Sequence, residues 1–235
     1  MNYFGCSGYI YDHWRGLFYP AGLSKSKWFD YYASKFNTVE INYSFYRFPS
    51  AKAVKRWYSD APKGFKYTLK ASRFITHVKK FKNSKSAVNR FYKMADLLKE
   101  KLGCILFQLP PNLKYSEKKL NEICKQLNPK YKNVIEFRHS SWFNADVYKK
   151  LKQNKIIFCI ISYPGLPEDK IKTVNDIYVR FHGKPILDSS NYSKTHLKDW
   201  AKQIKKLKPK NIWWYFNNDA LARAPKNCLE LKKII

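Results

Sequence analysis

The chain has 235 residues, of which 45% are hydrophobic and 17% aromatic, a composition that indicates a folded globular protein and excludes a disordered one. The five cysteines form no Cys-x-x-Cys pair, so neither a zinc ribbon nor a disulfide framework is indicated, and we expect free thiols in a reducing, cytoplasmic setting. No apolar run is long enough to span a membrane, and the first residues lack the pattern of a secretory signal, so no membrane partner is expected.

The formal net charge of +29 predicts attraction to polyanions, including nucleic acids. Most of the excess is lysine on predicted helix surfaces, a pattern that a biased base composition of the genome also produces, so the charge alone leaves the function open. Arginine is scarcer, and five arginines lie beside predicted strand ends or in aromatic and Asn-rich turns: Arg15, Arg47, Arg138, Arg180 and Arg223. There its planar guanidinium is suited to binding an anion in a fixed geometry.

The hydrophobic pattern predicts strands that alternate with amphipathic helices. The predicted strands, in chain order, are 3–8, 38–42, 65–71, 104–109, 133–138, 156–162, 176–182 and 211–217. The predicted helices are 24–36, 50–59, 84–102, 116–127, 142–153, 193–207 and 227–235. Pro164, Gly165 and Pro167 interrupt the connection after Ser162, so the sixth crossover is expected to be short or irregular.

Eight strand–helix units without an intervening linker predict a single α/β domain over residues 1–235, a (β/α)8 TIM barrel with a parallel sheet. An open doubly wound sheet is the alternative. That fold usually has a glycine-rich phosphate turn after its first strand, and Cys6-Ser7-Gly8-Tyr9 does not match Gly-x-Gly-x-x-Gly. The pattern therefore favours the barrel and gives no fingerprint of a nucleotide cofactor.

Polar and ionisable side chains recur on one face near the ends of the predicted strands. Glu40 and Asn42 share a face of the second strand, and Arg180 and His182 share a face of the seventh. A charge is rarely buried unless it is paired or functional, and TIM-barrel active sites lie at the carboxyl ends of the strands. We therefore predict one pocket lined by Glu40, Asn42, Lys70, Gln108, Glu136, Arg138, Arg180 and His182.

Catalytic roles are predicted for Glu136, His182 and Glu40. The two glutamates could act as general acid and base, or as nucleophile and acid in a glycosidase-like site, and His182 could be a general base, a metal ligand or an anion donor. The alternative is a structural network in which arginine holds each glutamate ionised, Glu136 being paired with Arg180 or Arg138.

An anion pocket is predicted from the basic residues Arg138, Arg180, Arg47 and Lys70. Neutral donors and acceptors for sugar or base edges would come from Gln108, Asn42, Asn217 and Asn218. Aromatic residues in the strand-to-helix loops could stack on a sugar or a nucleobase, and those chosen are Tyr9, Trp14 and Trp142. A packed lid over the barrel is the alternative for these aromatics.

A metal site is not predicted, because neither His-x-His nor His-Glu-x-x-His occurs. A divalent cation would need several dispersed groups to converge, namely His182, Glu136, Glu40, His77 and Asp219. Arg138 and Arg180 would place positive charge beside such a cation. The cofactor therefore stays undetermined.

Sequence blocks spread over the whole chain resemble the YecE-like family (domain of unknown function 72). The blocks are Gly5-Cys6-Ser7-Gly8-Tyr9, Trp14-Arg15-Gly16, Phe36-Asn37-Thr38-Val39-Glu40-Ile41-Asn42, Leu106-Phe107-Gln108-Leu109-Pro110-Pro111, Glu136-Phe137-Arg138-His139, Tyr178-Val179-Arg180-Phe181-His182-Gly183 and Phe216-Asn217-Asn218. This resemblance implies a TIM barrel, in agreement with the periodicity, and it implies no particular reaction.

The sequence thus predicts an enzyme with hydrolase-type acid/base chemistry on an anionic, phosphate-bearing substrate such as a nucleotide or nucleic acid. Two alternatives stay open: a non-catalytic protein that binds single-stranded nucleic acid, and a carbohydrate-active barrel. The first alternative follows from the lysine-rich surface and aromatic loops, and the second from the two carboxylates with the tryptophans. Nothing in the sequence fixes the oligomeric state.

Overall fold

Eight short strands, all parallel, carry the fold, and the computed structural model describes all 235 residues. The strands are β1 (Asn2–Cys6), β2 (Thr38–Ile41), β3 (Lys66–Lys70), β4 (Leu102–Gln108), β5 (Asn133–Glu136), β6 (Ile157–Ser162), β7 (Asp176–Phe181) and β8 (Asn211–Phe216). Each lies within one of the predicted strand segments, apart from the first residue of β1 and the first two of β4. Most residues of these strands are buried on both faces, which is typical of a parallel sheet covered by helices.

The helices are α1 (Trp28–Lys35), α2 (Tyr43–Tyr46), α3 (Ala51–Asp60), α4 (Lys85–Ala95), α5 (Glu117–Gln126), α6 (Ala145–Gln153), α7 (Lys194–Lys206) and α8 (Arg223–Ile234). Four of them begin after a capping residue whose side-chain oxygen accepts a backbone N–H of the first turn: Ser50, Ser116, Asn144 and Ser193. No helix spans the connection between β6 and β7, as the proline and glycine residues there predicted.

The strands pair in the order β1-β8-β7-β6-β5-β4-β3-β2, and an isolated parallel bridge joins Ser7, after β1, to Glu40 of β2. A nearly closed eight-stranded parallel sheet, with helices between all successive strands except β6 and β7, is a (β/α)8 TIM barrel. The predicted fold class is confirmed. The chain divides into two compact units, residues 1–40 with 160–235 and residues 41–159, which we describe separately.

Stacked aromatic rings anchor the interior of each unit. In residues 1–40 with 160–235, Tyr19 stacks on Trp28 at a centroid distance of 4.7 Å. In residues 41–159, Tyr92 stacks on Tyr131 at 4.1 Å.

All five cysteines are free and buried. No helix combines the length and the apolar character that crossing a membrane would require.

Three local features differ from the predicted elements. The helix predicted over 84–102 ends at Ala95 and continues as a tighter 3₁₀ segment, Asp96–Lys101, in which Lys99 has a left-handed φ of 47°. The sequence pattern does not predict the short helix α2. It also does not predict the π-helical turn at Phe74–Val78. Such turns are frequently found at functional sites.

Candidate functional site

Three neighbouring strands of residues 41–159 end in polar side chains. Lys70, Gln108 and Glu136 are the last residues of β3, β4 and β5. The strand register pairs Gln108 with Glu136, and the backbone N–H that follows Gln108 donates to the Glu136 carbonyl over 2.8 Å. Since carboxyl ends of parallel strands form one edge of a sheet, these three side chains start from the same rim.

Glu136 is fully buried and forms an ion pair with Arg138. The Arg138 Nε–H donates to Glu136 Oε1, and the side chains are 0% and 13% exposed for Glu136 and Arg138 respectively. A buried carboxylate needs such a partner, because its desolvation would otherwise be very costly. Arg138 is one of the two arginines that the sequence predicts as partners of Glu136.

His77 lies half-buried in the π-helical turn, beside this pair. The turn is closed by the Lys79 N–H, which donates to the Phe74 carbonyl over 2.9 Å. Gln108 Nε2 faces His77 Nε2 at 3.5 Å, and Thr76 Oγ1 lies 2.9 Å from His77 Nδ1. Because the Gln108 amide nitrogen can only donate, His77 Nε2 is the acceptor and Nδ1 carries the ring proton toward Thr76.

The surroundings of His77 disfavour its protonated form. Burial, with the positive charges of Lys70, Arg73 and Arg138, lowers the pKa of His77 from 6.5 to about 4, and the Glu136 carboxylate opposes this shift. His77 is therefore neutral near physiological pH. Its ring makes an edge-to-face contact with Phe45 at 5.0 Å, and Lys70 Nζ lies 4.2 Å from the centre of the Phe45 ring.

We call these side chains the Glu136 cluster, defined as Lys70, Arg73, His77, Gln108, Glu136 and Arg138. Within this set three cationic groups and one carboxylate act on His77, which is an excess of two positive charges when His77 is neutral. Sequence reasoning did not select Arg73 and gave His77 little weight. The available signal was their position in the segment directly after β3, where barrel active-site loops begin.

A second set of polar groups lies in residues 1–40 with 160–235, and we call it the Glu40 cluster: Ser7, Glu40, Tyr178, Arg180 and His182. Glu40 accepts hydrogen bonds from the Ser7 hydroxyl at 2.7 Å, the Tyr178 hydroxyl at 2.6 Å and Arg180 Nη2 at 2.7 Å. Every member of the set is buried, with Glu40 0% and Arg180 1% exposed. Burial and the nearby Glu40 charge raise the pKa of Tyr178 well above its ordinary value.

His182 contacts the same arginine. Arg180 Nη1 lies 3.1 Å from His182 Nε2, and a guanidinium can only donate, so His182 Nε2 is an acceptor. Asn217 Nδ2 lies 3.2 Å from the other ring nitrogen and donates to Asp188 Oδ1 at 3.1 Å. His182 is 1% exposed. A proton taken up at Nε2 would therefore break an existing bond inside a closed network.

The aromatic residues expected to stack on a ligand are packed against protein instead. Trp14 and Trp142 are completely buried, and their indole N–H groups donate to Asp219 Oδ1 at 2.6 Å and to the Leu113 carbonyl at 2.7 Å. Tyr9 packs against the rings of Phe29 and Tyr32. Faces that already contact neighbouring side chains cannot receive a base, so the packed alternative describes Trp14 and Trp142.

The remaining predicted binding residues have mixed environments. Asn218 is buried, and its amide donates to the Ser190 carbonyl at 3.0 Å and to Asn227 Oδ1 at 2.8 Å. Asn42 is half-buried at the start of α2, and Arg47 is exposed directly after that helix. No group of three or more His, Cys, Asp or Glu side chains converges as a metal site would require.

The comparisons with known proteins identify the family. A family model described as "Protein of unknown function DUF72" matches residues 3–235. The chain belongs to the DUF72 family. The UPF0759 protein YunF of Bacillus subtilis is 26% identical to this DUF72 chain over an alignment that covers 100% of the chain and 95% of YunF. The resemblance predicted from the sequence blocks is confirmed.

Solved structures of the family share the fold. A DUF72 protein from Thermotoga maritima aligns with a TM-score of 0.90 and 29% identity, covering 100% of this chain and 98% of the other. A DUF72 protein from Enterococcus faecalis aligns with a TM-score of 0.86 and 19% identity, covering 100% and 95%. The second likeness concerns the fold alone. None of these relatives carries a stated reaction, so the function has to be argued from the site.

Proposed function

We propose that this DUF72 protein is an enzyme that binds an anionic, phosphate-bearing substrate at the Glu136 cluster and acts by hydrolase-type acid/base chemistry. The observation that supports the proposal is the convergence of Lys70, Arg73 and Arg138 around a neutral, half-buried His77 beside the ends of adjacent strands. Such a group of cations around a titratable side chain is costly for folding and is a common feature of functional sites.

Charge matching indicates the kind of anion. The cluster has an excess of two positive charges, and a phosphate monoester carries about 1.5 to 2 negative charges near neutral pH. Arg138 would hold phosphate oxygens through its planar fork, and Lys70 would add a point charge. Glu136 would keep the Arg138 guanidinium in place through the hydrogen bond that Nε donates to Oε1.

Proton transfer would fall to His77, with Glu136 as the residue that positions Arg138. His77 Nε2 is an acceptor, and its bond with Gln108 is long at 3.5 Å, so a water or substrate hydroxyl could replace the amide there. A bound phosphate would offset the charges of Lys70, Arg73 and Arg138. The pKa of His77 would then rise from about 4, which makes the imidazole a stronger base once substrate is bound.

The Glu40 cluster supports a structural role better than the predicted catalytic one. Glu40 has no exposed surface and already accepts three hydrogen bonds. A carbohydrate-active site with two working carboxylates would need Glu40 open to a sugar, so that alternative receives no support from its environment. His182 is also buried, in contact with Arg180, and this environment likewise supports a structural role.

The proposal is tested by binding and turnover with inorganic phosphate, phosphomonoesters and phosphodiesters. Arg138→Gln should weaken phosphate binding about tenfold or more, because a charge-assisted bidentate contact is lost. Arg56→Gln is the matched control, since Arg56 also pairs with a nearby acid, Asp60, but is 80% exposed on α3. Equal phosphate affinity in wild type and Arg138→Gln, with both folded, would contradict the proposal.

A further inference from the structure

In residues 41–159, large hydrophobic side chains are exposed on two segments that contact each other through Phe45 and His77. They occur in only two segments, α2 and the π-helical turn, and their exposed fractions are 52% for Tyr43, 69% for Tyr46, 47% for Phe74 and 61% for Val78. Isolated exposed apolar groups are common on protein surfaces, but a group of them concentrated beside a polar site indicates a binding surface. We call these four residues the aromatic rim.

The segments that carry the aromatic rim contact residues of the Glu136 cluster. Phe45 of α2 makes the edge-to-face contact with His77 and also lies beside the Lys70 ammonium group. The Ser44 hydroxyl donates to the Lys70 carbonyl at 2.7 Å, which fixes α2 to the end of β3. The exposed rings of α2 and of the turn are therefore held next to the proposed phosphate site.

Basic side chains alternate with the exposed rings along the chain. Arg47 follows Tyr46 directly, Arg73 precedes Phe74, and Lys79 Nζ lies 5.7 Å from the centre of the Phe74 ring. Planar rings interleaved with cations are the features that bind single-stranded nucleic acid, in which every base offers a face for stacking and every linkage a negative charge. A lipid-binding face would need a larger aliphatic surface, and here Val78 is the single aliphatic member.

We propose that the ligand of this surface is a single-stranded nucleic acid, with one phosphate at Arg73 and Arg138 and adjacent bases stacked on Tyr46 and Phe74. This inference rests on the proposed function, since it names the phosphate-bearing substrate class for the same site. The chain's net charge of +29 would assist the encounter with any polyanion but does not select single strands, whereas the exposed rings do.

The test is fluorescence anisotropy with a labelled oligothymidylate of about twelve nucleotides, long enough to cross both the rim and the cluster. Tyr46→Leu and Phe74→Leu keep an apolar side chain and remove the ring, and each should weaken binding about 5- to 150-fold, the range for loss of one stacked base. Tyr58→Leu is the matched control, because Tyr58 lies on α3, away from the aromatic rim in sequence, and its ring is also beside lysines, Lys99 and Lys101. The Tyr58→Leu variant should bind the oligonucleotide like wild type. A duplex of the same length should show no dependence on Tyr46.

Unchanged oligonucleotide affinity in both ring variants would overturn the inference. Binding to vesicles of phosphatidylglycerol that depends on Tyr46, without ring-dependent oligonucleotide binding, would also overturn it in favour of a membrane surface. Binding of inorganic phosphate distinguishes failure of this inference from failure of the proposed function. If phosphate binding depends on Arg138 while the rings are irrelevant to the oligonucleotide, the substrate class is wrong and the proposed function stands; if phosphate binding is independent of Arg138, the proposed function fails as well.

Discussion

Replacing Glu40 by glutamine tests whether the Glu40 cluster is a structural network. Glutamine keeps the shape of the side chain but removes the negative charge that balances Arg180, which is 1% exposed and so has little access to water. Breaking a buried ion pair from one side costs about 3–5 kcal/mol, because the remaining charge is left uncompensated. That is a large share of a total stability of about 5–15 kcal/mol, so Glu40→Gln should unfold at a much lower urea concentration than wild type.

Equilibrium urea unfolding followed by tryptophan fluorescence measures this change. Glu122→Gln is the control, since it removes a carboxylate from a partly exposed pair with Lys119, which should cost less than about 1 kcal/mol. Adding Arg180→Met to Glu40→Gln should recover part of the lost stability, because the buried arginine that has lost its Glu40 partner is then removed as well. A free energy of unfolding for Glu40→Gln within about 1 kcal/mol of wild type would refute the structural assignment.

Two further predictions concern the Glu136 cluster. Glu136→Gln should lower turnover about 100-fold, because Arg138 loses the bond that positions it, while phosphate affinity is kept or rises, since the excess of positive charge increases; parallel loss of folding and turnover would instead make Glu136 purely structural. His77 should make wild-type stability fall as the pH drops from 6.5 toward 4, because the unfolded state binds a proton that the folded state does not. The full pKa shift corresponds to about 3 kcal/mol of folding stability, which solvent screening at this half-exposed side chain reduces to about 1–2 kcal/mol. The free energy of unfolding of His77→Gln, measured in urea, should lack this part of the pH dependence.

The barrel could be predicted because its signals are local and repeat along the chain. The strand β6 is an apolar run of strand length, and α3, α5 and α7 begin after a serine that caps the first turn. Each of these segments by itself indicates a strand followed by a helix, and eight predicted strands in this pattern leave few alternatives to a TIM barrel. Side-chain parity also placed Glu40, Glu136 and Arg180 in the interior, where they are buried.

The partners within the site could not be predicted, because they depend on contacts between distant segments. Parity alone does not predict that Arg138 forms an ion pair with Glu136. The π-helical turn that holds His77 has no sequence signature, and its neighbours Lys70 and Gln108 come from two different strands. Trp14 looks like an exposed loop aromatic in the sequence, yet its indole N–H is used by Asp219 at 2.6 Å inside a packed lid.

The imidazole of His77 reports most directly on whether the Glu136 cluster is an anion site. Carbon-13 labelling of histidine gives signals from five residues, and His77→Gln assigns the one that matters. An NMR pH titration should show a pKa of about 4 for His77 without ligand and a higher value when phosphate is added. A His77 pKa near 6.5 that phosphate leaves unchanged would contradict the account.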